Sequence, residues 1–144
     1  MAKNSFFTPE DELRIIEAIQ KAEQQTSGEI KVHVEAHCYV DLLDRTTEVF
    51  ALLKMHETEQ RNGALIYMAI EDHLFALIGD MGINAVVPED FWDEARDIME
   101  ENFRAGKIVG GLEGGIAKIG EKLQAFFPYK TDDKNELPDD ISYG

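Results

Sequence analysis

The sequence predicts an α/β fold, a three-layer α-β-α sandwich around a small central sheet of about four strands, on three observations. Apolar residues recur at helical spacing in four separate stretches, each bounded by capping or breaking residues. Over Glu29–His37 the period switches to two, the mark of a strand. Ala64–Ile70 is continuously apolar, as in a central strand covered on both faces. Helix, strand, helix, hairpin and two further helices then require helices on both sides of one sheet.

Thr8-Pro9-Glu10-Asp11 opens the first helix. Thr8 can accept from the Asp11 amide, Pro9 sits where a missing N–H costs nothing, and the acids meet the positive helix end. Leu13, Ile15, Ile16, Ile19 and Ala22 form its apolar stripe, which ends near Thr26-Ser27-Gly28. In the strand 29–37, Ile30, Val32, Val34 and Ala36 face a core, and Lys31, His33, Glu35 and His37 are expected to face solvent. A second helix runs from about Asp41 to His56, followed by a polar loop, 57–63. Glu71-Asp72 turns the apolar run 64–70 into a second one, His73–Ile78, making a hairpin. Gly79-Asp80-Met81-Gly82 is a loop and Ile83–Val87 a short strand. Pro88 starts a third helix that closes at Phe103-Arg104-Ala105-Gly106, with Gly106 as left-handed cap. Leu112, Ile116, Ile119, Leu123 and Phe126 share one face of a last helix, stopped by Pro128.

The 144 residues suffice for one domain over 1–130, and 131–144 read as an acidic, disordered tail. Lys and Arg number 14 against 29 Asp and Glu, a formal charge of −15. Such a field repels nucleic acid and anionic lipid and attracts cations. No window approaches the ~20 apolar residues of a membrane span. The N-terminus carries no apolar signal region, and the single cysteine, Cys38, fits a reducing compartment, so a cytoplasmic location is expected. Cys38 reads as a small, half-buried apolar residue.

Acid-rich loops are the best candidates for chemistry. Hard cations such as Ca²⁺ and Mg²⁺ take several oxygen ligands. The loops 57–62 and 79–82 flank the hairpin and so fall at the same end of the sheet, which the start of the Pro88 helix can also reach. Glu57, Glu59, Asp80, Asp90, Asp93 and Glu94 can therefore converge as a metal site. Like charges so gathered repel unless a cation sits among them. The competing reading is that the acids near Pro88 favour a helix N-terminus and the rest are solvated. His33, Glu35 and His37 offer a weaker zinc site against an exposed strand face. Gly110, Gly111, Gly114 and Gly115 match no phosphate loop; Gly111 and Gly115 are expected to let two helices approach closely.

Several landmarks come in a familiar order: Glu29-Ile30 after a helix, Asn62-Gly63 before an apolar strand, Gly79 and Gly82 after the next, then Phe103-Arg104-Ala105-Gly106 and Gly111-Leu112. Over about residues 8–127 the chain resembles the TPM domain family, whose members were once proposed to be phosphatases. The resemblance implies an α-β-α sandwich with loops crossing at one end of the sheet and divalent-metal binding there, typically calcium. Many relatives carry a signal peptide and a C-terminal membrane helix or glycine-rich extension, so this chain reads as a stand-alone domain. The usual Gly-x-Gly after the second hairpin strand is widened here to Gly79-Asp80-Met81-Gly82, which adds a carboxylate. The expectation is a calcium-binding regulatory or interaction module, with metal ions and an unidentified protein as partners. The alternative is a metal-dependent phosphatase with Arg61 and Arg96 as the available basic groups; a third reading has the tail engaging a basic partner.

Overall fold

A computed structural model describes residues 6–130 and 139–144. Among the described residues five helices, α1 (Pro9–Glu23), α2 (Leu42–Leu52), α3 (Met81–Asn84), α4 (Asp93–Arg104) and α5 (Ile108–Gln124), accompany four strands. The strands are β1 (Glu29–Glu35), β2 (Gly63–Ala69), β3 (Leu74–Gly79) and β4 (Ser142–Tyr143). The described residues divide into two compact units, one holding α1, α4 and α5 and the other the sheet with α2 and α3.

In the sheet the order is β3-β2-β1-β4. β2 pairs with β1 in parallel and with β3 antiparallel, while β4 lies parallel to β1. All seven residues of β1 and all seven of β2 are buried, so both faces of the central strands are covered, as a three-layer α-β-α arrangement requires. On one face Leu65, Tyr67 and Ala69 pack with Val49 of α2 and with Met55. Cys38 borders that cluster half-buried, in the apolar role expected of it. The hairpin turn runs from Ile70 to His73, and His73 takes the left-handed conformation, φ 57°, that closes it. Asp72 anchors the turn, accepting from the Cys38 amide at 2.6 Å and bonding His37 Nδ1 at 2.9 Å.

The helical unit follows its sequence signals closely. Thr8 caps α1 by accepting from the Asp11 amide at 3.1 Å, and Gly106 takes φ 78° after α4. Gly111 and Gly115 bring α5 against α4. A Cβ added at Gly111 would lie 2.5 Å from the Phe103 ring, and one at Gly115 2.5 Å from Met99. Gly120 does the same toward Ala22 of α1, where an added Cβ would lie 2.8 Å from the alanine methyl.

Four expectations are corrected. The run Ile83–Val87 is not a strand; the Asp80 side chain accepts from the Met81 amide at 2.8 Å and turns the chain into α3. A short apolar run carries no period that separates the two. Next, α4 begins at Asp93 rather than Pro88, because Phe91 and Asp93 donate back to Pro88 and Asp90 in successive tight turns. The disordered tail expected over 131–144 fails at its end: β4 pairs His33 with Ser142 and Val34 with Tyr143, and Ile141 is buried. Residues 131–138 lie outside the described residues. Lastly, Lys31, His33 and Glu35 do not face solvent, for the reason that follows from their partners below.

Candidate functional site

The two acidic loops do cross at one end of the sheet. Thr58 organises the first: its carbonyl accepts from the Arg61 amide at 3.2 Å and its hydroxyl from the Asn62 amide at 3.1 Å. Arg61 takes φ 52°, which turns its carbonyl to accept the Gly82 amide of the second loop at 2.9 Å. Gly82 is required here, since a Cβ would collide with the Gln60 and Arg61 carbonyl oxygens. Asp80 joins the loops. Its amide donates to Gly63 O at 2.9 Å, and its buried carboxylate takes Arg61 Nε at 2.6 Å and Nη2 at 2.9 Å. The cation between the crossing loops is therefore the chain's own guanidinium, held in two-point contact.

Each remaining carboxylate of the expected set has its own surroundings. Glu57 is exposed, 3.8 Å from His56 Nε2, and Glu59 is exposed on the same loop. Asp90, Asp93 and Glu94 belong to the helical unit. Asp90 is exposed in the turn before α4, Asp93 pairs with Arg96 at 3.0 Å, and Glu94 meets Lys122 at 2.7 Å and Lys118 at 3.5 Å. The Lys122 contact, with Lys118 behind it, holds the Glu94 carboxyl below its ordinary value. Repulsion among acids was the reason to expect an ion; Asp80, Asp93 and Glu94 are instead each paired with basic groups of the chain, Arg61, Arg96, and Lys118 with Lys122. Among the described residues no group of three or more His, Cys, Asp or Glu is arranged to hold a metal ion.

A buried, hydrogen-bonded charge network lies at the opposite end of β1. Glu35 accepts from Arg45 of α2 at 2.9 and 2.8 Å, from His33 Nε2 at 2.9 Å, and from the Tyr67 hydroxyl. Burial pushes this carboxyl up, but the bonds from Arg45, Tyr67 and His33 together outweigh it and bring the value down to about 2. His33 stacks on Tyr67, with ring centroids 5.8 Å apart. A carboxylate only accepts, so His33 Nε2 carries the proton, and the neutral ring leaves Nδ1 to accept the Ser142 hydroxyl at 2.8 Å. Burial, opposed by Glu35, keeps the imidazole below its ordinary value. Lys31, also buried, reaches Asp140 at 3.2 Å. Lys31, His33 and Glu35 are thus covered because each has a partner from α2, β2 or the β4 segment. His33 and His37 do not share an ion-sized space with Glu35: His33 is bonded to Glu35, and His37 to Asp72.

The model of the family described as the TPM domain matches residues 2–122. The chain belongs to the TPM domain family. The solved structure of the BA42 protein from the psychrophilic bacterium Bizionia argentinensis is 47% identical, with a TM-score of 0.94 over 99% of either chain. Two N-terminal domains share the fold at low identity. One, from Corynebacterium glutamicum cg2496, has a TM-score of 0.65 at 13% identity over 96% of this chain and 80% of its own. The other, from P. gingivalis, has 0.67 at 16% over 85% and 80%. No curated protein matches the chain.

In this TPM domain no helix among the described residues is long and apolar enough to cross a membrane. The crossing loops were legible from hairpin topology, and the β1 network was not. One signal pointed to it: Tyr67 puts a hydroxyl into an otherwise apolar central strand, and a buried hydroxyl needs a partner.

Proposed function

We propose that this TPM domain is a divalent-cation-binding regulatory or interaction module of the cytoplasm. Its crossing loops exchange the Arg61 guanidinium for Ca²⁺. The observation that carries this reading is Asp80: a buried, two-oxygen carboxylate at the junction of both loops, already engaged with a cation. The Gln60 and Arg61 carbonyls packed against Gly82 add the neutral oxygens that hard cations favour. Glu57 and Glu59 sit on the same loop, and the formal charge of −15 raises the local cation concentration. A bound Ca²⁺ would supply a double positive charge that ties the loops together, so ion occupancy would alter the surface they present. The candidate ligands on the crossing loops are Asp80, Glu57 and Glu59; of the other acids, Asp93 and Glu94 are already paired with Arg96, Lys118 and Lys122 in the helical unit, where Asp90 is exposed. The phosphatase alternative has less support, because Arg61 is the one Lys or Arg of the two crossing loops, and Arg96 pairs with Asp93 in the helical unit.

Calorimetric titration of Ca²⁺, Mg²⁺ and Zn²⁺ into chelator-stripped protein tests this. Ca²⁺ is expected to bind and to raise the melting temperature, with EDTA reversing the rise. Arg61→Asn suits the left-handed backbone at that position and removes the competing charge; it should tighten Ca²⁺ by roughly tenfold, ~1.4 kcal/mol. Asp80→Ala should abolish the heat. A flat isotherm and an unchanged melting curve for both wild type and Arg61→Asn would refute the assignment.

A further inference from the structure

We propose that the outer edge of β1 is a peptide-binding site, filled in cis by residues 140–144, that accepts a parallel strand of the pattern acidic–apolar–Ser–any–Gly from a partner protein. The resident segment shows how such a strand is read. Asp140 reaches the buried Lys31 ammonium at 3.2 Å, and Ile141 is buried. Ser142 bonds His33 Nδ1 at 2.8 Å, and the Gly144 amide donates to the Val34 carbonyl at 3.0 Å. A glycine is needed at the last position because a Cβ there would run into Glu35 Oε1 and His33 Nε2. Main-chain pairing supplies adhesion and these side-chain contacts supply selectivity, as in strand addition to a sheet edge.

Two features favour exchange with an outside strand. The resident contact is short, with only two ladder pairs, His33 with Ser142 and Val34 with Tyr143. Beside it, Gly144 borders a cleft of about 430 Å³ lined also by Ala36, Tyr39 and Val40. Tyr39 is 87% exposed and Val40 60% exposed, so a strand continuing past the glycine position would meet apolar surface there. Arg45 of α2 and Tyr67 of β2 hold the Glu35 carboxylate, and Glu35 and the Tyr67 ring hold His33, so these two readers of the strand are positioned without the segment that fills the edge.

The test uses a fluorescein-labelled peptide, Asp-Asp-Ile-Ser-Tyr-Gly, titrated into the full chain while polarisation and amide NMR are followed. Two variants unseat the resident segment: Ile141→Asp puts a charge into its buried position, and Gly144→Val meets Glu35. Because binding in cis competes with binding in trans, both should take the peptide at least about tenfold more tightly than wild type. Amide shifts should centre on Lys31–Glu35, and a peptide with Ala for its glycine should lose the gain. The proposal is overturned if neither variant, folded by NMR, binds the peptide more tightly than wild type. It is overturned equally if the Ala peptide binds as well as the Gly peptide, or if the edge is taken by a second copy, seen as a strand-exchanged dimer.

Discussion

Replacing Glu35 with Gln tests whether the buried network on β1 is an electrostatic fastening or only filler. Gln keeps the volume of Glu, so no cavity forms, but it removes the charge and turns an –NH₂ toward groups that are themselves donors: Arg45, Tyr67 and His33. The magnitude follows from linkage. The carboxyl titrates at about 2 against an ordinary 4.5, and each unit of difference is worth about 1.4 kcal/mol, so the folded state favours the charged form by ~3 kcal/mol. Glu35 lines the adjoining cleft, and water there trims the expectation to roughly 2 kcal/mol. For a chain of this size that lowers the melting temperature by about 6 °C. Urea unfolding of wild type and Glu35→Gln at pH 7 measures the loss. Repeating it toward pH 2.5 supplies the decisive comparison. A carboxyl with a depressed value stabilises fully above its unfolded value and loses that contribution as pH falls toward its folded one. The gap between the two proteins should therefore close between about pH 4.5 and 2. A loss under about 0.5 kcal/mol at pH 7, or a gap that does not change with pH, would refute the reasoning.

Two further outcomes are expected. His33 is kept neutral by burial, so above pH 6.5 its contribution is complete. Below that value the unfolded chain binds the proton first, and stability should fall as pH drops, before the Glu35 loss begins; NMR titration of the imidazole with parallel denaturation checks the direction. Gly111→Ala should destabilise by about 1–3 kcal/mol in thermal melts, although alanine is the better helix former by ~1 kcal/mol, because the new methyl meets the Phe103 ring.

Local signals carried much of the fold. Thr8-Pro9 and Gly106 act within one turn of their own helix, so caps and ends could be read directly. The apolar run Ala64–Ile70 announced a strand covered twice, and the hairpin that follows puts the loops 57–62 and 79–82 at one end of the sheet by its topology alone. What occupied the junction was less legible. Counting acids suggested an empty cage for an ion, whereas the fold swings Arg61 into Asp80 across 19 positions of sequence.

The polar face of β1 shows where sequence reading stops. Alternation of Ile30, Val32 and Val34 with Lys31, His33 and Glu35 has the same period whether the polar side meets water or a second layer. Only the arrival of Arg45, Tyr67, Asp140 and Ser142 decides between them, and the last two lie 109 positions away from the residues they bond. Periodicity, capping and turn chemistry are short-range and are written in neighbouring residues. Whether a charge is buried depends on the partners that distant segments bring to it, and that was settled by tertiary structure.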